Sequence, residues 1–149
     1  MFEGKTVLIT GSTSGIGLGI AKAFAHAGAR VMLNGLGDVD EIEALRAGLA
    51  NSAGVEVAYH NADMRRGDEI EDLILQTHKR LGGPDILVNN AGIQHVAPID
   101  EFPAERWQAI MDIILNSAFH TIRHSLPFMK AEGWGRIINI GSAHALVAS

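Results

Sequence analysis

The chain has 149 residues, 47% of them hydrophobic and 19% charged, with a net charge of −5, which is enough apolar material for one domain with its own core. The acidic balance excludes a general binder of nucleic acid or anionic membrane, which needs a basic face. The lack of cysteine excludes disulfides, thiolate catalysis and cysteine-ligated zinc.

In chain order, TVLIT is a short β-branched run closed by glycine and predicts a buried strand. GIGLGIAKAFAHAGA follows as a helix, with Ile16, Ile20, Ala23 and Phe24 expected on one face and Gly28 as its stop. RVMLN is the second strand. The next helix opens at Asp38, at capping-box spacing from Glu41, and Ile42, Leu45 and Leu49 form its buried stripe. VEVAYH is the third strand. Asp68 and Glu71 repeat the capping spacing ahead of Ile70, Leu73, Ile74 and Leu81. DILVNN is the fourth strand. Pro103 suits the first residue of a helix carrying Trp107, Ile110, Ile114, Ala118 and Ile122, which Pro127 is expected to bend or end. RIINI is the fifth strand.

The strands are apolar throughout rather than alternating, so both faces are buried and helices cover a parallel sheet on each side. Right-handed crossovers then give an α/β, doubly wound, Rossmann-like sheet. Residues 1–149 read as one dinucleotide-binding domain. No apolar run reaches the length of a membrane span, and MFEGKTVLIT has no basic-then-apolar leader. A soluble, cytoplasmic protein is the expectation.

Ligands of such sheets bind beyond the carboxyl ends of the strands. TGSTSGIG joins the first strand to the first helix there. Gly11 permits the tight turn, Gly15 lets backbone approach a pyrophosphate, and Gly17 lets the helix pack closely on the sheet. A purely structural turn would use the same residue types. Its place at the head of a β-α-β unit points to a dinucleotide.

With TGSTSGIG at the start and NNAG after the fourth strand, the sequence resembles the short-chain dehydrogenase/reductase family over its whole length. The resemblance implies that Gly11, Thr13, Gly15, Ile16 and Gly17 contact the cofactor and that Asp63 and Met64 hold its adenine. It implies that Asn90, Ala91 and Gly92 lie along the adenosine ribose, and that Ser142 is the catalytic serine that hydrogen-bonds the substrate oxygen. LNGLGD, NNAGIQHVAPI and SAHALVAS are similar to members that interconvert (R)-3-hydroxybutyrate and acetoacetate with NAD. That similarity makes Gln94 and His144, beside Ser142, the binders of a short carboxylate. Another small carbonyl substrate remains an alternative.

NADP needs a cation for its 2′-phosphate, and neither NGLGD nor STS holds Lys or Arg. NAD is favoured on that ground, with Leu36 packing beside the adenosine, although no acidic residue stands directly at the end of the second strand. Two features depart from the family pattern. Its Tyr-x-x-x-Lys motif lies beyond Ser149, and Tyr59 has no lysine four residues on, so an inactive NAD-binding module is a further alternative. Ile114 stands where the family carries a helix asparagine, and Asn116 lies roughly 200° around the helix from it.

His120 and His124 have i, i+4 spacing without an acidic partner in a ligand pattern, which favours a solvated or interfacial helix face over a metal. Trp107 and Trp134 read as packing or subunit-contact residues. The family resemblance implies a homo-oligomer, a tetramer in full-length members, with His124, Phe128 and Met129 at a contact. A fifth strand without a further neighbour would expose an apolar edge.

Overall fold

The computed structural model describes residues 1–143, so His144 lies outside the described residues. Five strands form one sheet in the order β3-β2-β1-β4-β5, and every neighbouring pair is parallel. The strands are β1 (Thr6–Ile9), β2 (Arg30–Asn34), β3 (Val57–His60), β4 (Ile86–Asn89) and β5 (Arg136–Asn139). The main helices are α1 (Gly15–His26), α2 (Val39–Ala53), α3 (Gly67–Leu81), α4 (Ala104–Met111) and α5 (Ser117–Ala131). A π-helical turn, Asp112–Asn116, joins α4 to α5.

Side chains alternate across a strand, and β1 divides its residues between two cores. Val7 and Ile9 pack with Ala21 and Ala25 of α1 and Leu49 of α2. Leu8 packs with Ile70, Leu73 and Ile74 of α3 and Met129 of α5. Helices therefore cover both faces, as the unbroken apolar strands require.

Several helix faces differ from expectation. α1 buries Gly17, Ala21 and Ala25, while Ile20 and Phe24 are half-buried and Ile16 and Ala23 are exposed. The cause is proximity to β1: a Cβ on Gly17 would lie 2.2 Å from the Gly11 carbonyl oxygen, so only small residues fit along this line. Asp38 caps α2, accepting from the amides of Asp40 and Glu41. At α3 the capping position is Arg66, not Asp68. Asp68 pairs with the Arg66 guanidinium instead, and Glu69 accepts from the Asp63 amide. The expected stripe Ile70, Leu73, Ile74 and Leu81 is buried.

Pro103 precedes α4 as its cap. Pro127 does not end α5, which runs on to Ala131. The proline lies on the exposed side, where water can satisfy the carbonyl it leaves without an amide partner. The buried face of α5 is Ser117, Thr121, Ser125 and Met129, while Trp107 and Ile114 are exposed. Small hydroxyl side chains let this helix approach the sheet. Thr121 Oγ1 donates to Asn89 Oδ1 at 2.7 Å, which draws α5 onto β4.

His120 and His124 face α3 rather than solvent. His120 packs on Gly67, and His124 Nδ1 stands 3.8 Å from Glu71 Oε1. Trp134 is a packing residue, with Lys5 Nζ at 4.2 Å and Arg136 at 4.8 Å from its ring. β5 has β4 as its one strand neighbour among the described residues. Ile137, Ile138 and Ile140 are each more than a third exposed among the described residues.

Candidate functional site

A cleft of about 560 Å³ opens beyond the carboxyl ends of β1, β2 and β4. Gly11, Thr13, Gly15, Ile16, Gly17, Leu36, Asp63, Met64, Asn90, Ala91 and Gly92 all line it. Every residue that the sequence pointed to as a cofactor contact is therefore brought to one place. Ser14, Asn34, Gly35, Ala62, Arg65, Ile93 and Ile113 complete the walls.

The glycine turn is shaped for backbone contact. Gly11 has φ 61°, and a Cβ there would lie 2.9 Å from Ala91 Cα. Gly15 has φ 54° with nothing within 4 Å of its Cβ position, so its backbone is bare toward open space. Ser14 caps α1 without a side-chain hydrogen bond, which leaves the first helical amides for a ligand, and the helix dipole favours an anion there.

Asn90, the residue after β4, locks this turn. Its Nδ2 donates to the carbonyls of Thr10 and Gly11, each at 3.0 Å. The Asn90 and Ala91 amides donate back to Thr10 Oγ1 at 3.0 and 2.9 Å.

At the other wall, Asp63 accepts from Arg65 Nε at 3.0 Å on both oxygens and from the Arg65 amide at 2.9 Å. The Arg65 guanidinium holds the Asp63 carboxyl below its ordinary value, against the opposing effect of burial. Asp63 is thus an acceptor already ionised at neutral pH. Gly35 cannot carry a side chain without displacing Thr13, whose Oγ1 would be 2.3 Å from the added Cβ. Tyr59 donates its hydroxyl to the Gly35 carbonyl at 2.8 Å, and burial pushes its phenol above the ordinary value.

Gln94 and Ser142 do not line this cleft. Gln94 is exposed beyond β4, and Ser142 follows β5 in an exposed loop. A second cleft of about 480 Å³ lies between the ends of β4 and β5 and the start of α5, with Ala91 shared by both clefts; Gln94 and Ser142 do not line it either. Ile114 lines the second cleft together with Asn89 and Asn139. Asn116 lines it as well, with its Nδ2 bonded to Asp112 Oδ1 at 2.7 Å. The turn carrying Ile114 is π-helical despite the missing asparagine, and π turns are frequent at functional sites.

Sequence reasoning did not assign roles to Asn34, Arg65 or Tyr59. The available signal at Asn34 was a polar residue closing an otherwise apolar strand. Arg65 stands two residues after Asp63, so its local pairing was the available signal; Tyr59 gave none, because its partner Gly35 comes from folding. The bare amides, left-handed glycines and ionised acceptor at the opposite wall fit the phosphates and adenine of a dinucleotide.

The profile of the short chain dehydrogenase family matches residues 5–149. The D-beta-hydroxybutyrate dehydrogenase of Cupriavidus necator is 59% identical over the whole of this chain and 57% of its own length. The D-beta-hydroxybutyrate dehydrogenase of Rhizobium meliloti is 54% identical over 97% of this chain and 56% of its own. The chain thus spans a little over half the length of these relatives. Among solved structures, the L-sorbose reductase of Gluconobacter frateurii complexed with NADPH and L-sorbose superposes with a TM-score of 0.92. It is 35% identical, over 97% of this chain and 55% of that one. On a profile match running almost from end to end, the chain belongs to the short chain dehydrogenase family.

Proposed function

We propose that this chain supplies the cofactor-binding part of an NAD-dependent oxidoreductase that interconverts (R)-3-hydroxybutyrate and acetoacetate. The observation that carries the reading is the convergence of the glycine turn, Asp63–Met64 and Asn90–Gly92 on one cleft, in a chain more than half identical to two relatives bearing that activity in their names. NAD, when bound, supplies the hydride acceptor. The turn amides and the α1 dipole hold its pyrophosphate, and Leu36 flanks the adenosine. Asp63 accepts from the adenine amine, with Met64 beside it, and Asn90, Ala91 and Gly92 border the ribose. Ser142 donates to the substrate oxygen as the catalytic residue, while Gln94 and His144 donate to the substrate carboxylate.

Charge supports NAD over NADP. Arg65 is the cation lining the cleft among the described residues, and its guanidinium is committed to Asp63. A cationic side chain at position 35 would have to displace Thr13. The exposed apolar side chains of Trp107 on α4, Leu115 on the π-helical turn, and Phe119 and Leu126 on α5 support a homo-oligomer; the setting proposed for it is the cytoplasm.

The test is twofold. NADH and NADPH titrations of this chain should show tighter binding of NADH. The longest form of the protein that its source makes should reduce NAD with (R)-3-hydroxybutyrate. Equal use of another small hydroxy compound would move the substrate assignment, and tighter NADPH binding would overturn the cofactor choice.

Ile114 supports a second reading, a dinucleotide-binding module without turnover. Under it, NADH binds, the hydroxy acid is not oxidised, and Ile114→Asn raises turnover from that floor.

A further inference from the structure

Gly11 is gripped at both of its backbone groups by asparagines, Asn34 at the end of β2 and Asn90 just after β4. Asn90 donates to its carbonyl, and the Gly11 amide donates to Asn34 Oδ1 at 3.2 Å. Asn34 ends β2 and is 1% exposed. Its Nδ2 donates to the carbonyls of His60 at 3.2 Å and Ala62 at 3.0 Å. Its own amide donates to Ser12 Oγ at 3.0 Å, and its carbonyl accepts from the Ser12 amide at 2.6 Å.

One buried amide thus places its acceptor on the glycine turn and both donor hydrogens on the segment that leads into Asp63 and Met64. His60 reinforces that segment. The Ala62 amide donates to His60 Nδ1 at 3.1 Å, so Nδ1 is the acceptor and Nε2 carries the hydrogen toward Asp72 Oδ2 at 2.9 Å. These bonds join the wall that faces the phosphates to the wall that faces the adenine.

The same geometry accounts for the missing acid at the end of β2. A carboxylate there would accept from Gly11 but could donate to neither carbonyl, leaving both unpaired in a buried site. We propose that Asn34 is a positioning residue for the dinucleotide: it sets the spacing between the phosphate turn and the adenine loop. The inference rests on the dinucleotide reading above.

The test uses two probes, inorganic pyrophosphate for the turn alone and ADP-ribose for both walls, titrated calorimetrically into this chain. Asn34→Asp keeps size and the acceptor but removes both donors. It should weaken ADP-ribose by about tenfold and pyrophosphate by less than about twofold, in protein that circular dichroism shows to be folded. Unchanged affinity for both probes would make Asn34 a fold residue only. Equal weakening of both would mean general loosening, and either result overturns the proposal. If Asn34→Asp does not fold, His60→Phe, which removes the ring bonds to Ala62 and Asp72 and leaves the Asn34 and Gly11 bonds in place, carries the same expected split between probes. Absence of ADP-ribose binding by the unsubstituted chain removes the dinucleotide reading and this inference with it.

Discussion

Asn89 and Asn139 face each other across β4 and β5, with Asn89 Nδ2 donating to Asn139 Oδ1 at 2.9 Å. Asn89 Oδ1 in turn accepts from Thr121 Oγ1. The edge strand that leads toward Ser142 is therefore tied through β4 to α5. Thr121→Val keeps shape and removes the donor. It should cost about 1 kcal/mol in urea unfolding, and a double-mutant cycle with Asn139→Ala should show the two effects coupled.

Two glycines in α1 separate close packing from helix propensity. Gly17→Ala would drive a Cβ into the Gly11 carbonyl and Asn90 Nδ2, so it should lower the melting temperature and abolish NADH binding. Gly19 has nothing within 4 Å of its Cβ position. Gly19→Ala should stabilise by about 0.5–1 kcal/mol and leave NADH affinity unchanged.

Asp63 links the cleft to acid stability. Its pKa in the fold is depressed, first by the Arg65 hydrogen bonds, so its contribution is complete above the unfolded aspartate value and is lost as pH falls through the folded one. Arg65→Ala should raise the Asp63 pKa, seen by carboxyl NMR. The same change should lower stability at neutral pH and shrink the part of it that is lost as the acid range is entered, because the gap between unfolded and folded values closes. An unmoved Asp63 titration would show that the pair does not set this acid.

Leu36 lines the cleft and is largely exposed, so a longer polar side chain fits there without repacking. Leu36→Arg should shift the NADPH-to-NADH affinity ratio toward NADPH by about tenfold, through a charge-assisted contact with the 2′-phosphate. The ratio measured by fluorescence titration checks this, and an unmoved ratio would place the 2′-position elsewhere.

The sheet and the cleft were readable from the chain because their signals are local. Apolar β-branched runs mark buried strands, and glycines at a strand–helix junction mark a backbone that must come close to something. The stripes on α2 and α3 followed from periodicity for the same reason. α1 and α5 defeated periodicity. Ile16 and Ile114 have the hydrophobicity of core residues, yet the faces that meet the sheet belong to Gly17, Ala21, Ser117 and Thr121, because a close approach selects size over hydrophobicity. The Asn34 bonds were beyond sequence reasoning, since their partners come from Gly11, Ser12, His60 and Ala62, which only the fold brings together.

Tyr59 is the chain's single tyrosine, and its hydroxyl rests on Gly35 in the cleft wall. The chain therefore carries an intrinsic optical reporter beside the candidate cofactor cleft. Its phenolate difference absorbance, which the two tryptophans do not share, isolates one position without any label, and burial moves its alkaline titration upward. Any ligand that shifts Gly35 should register there before the fold as a whole responds.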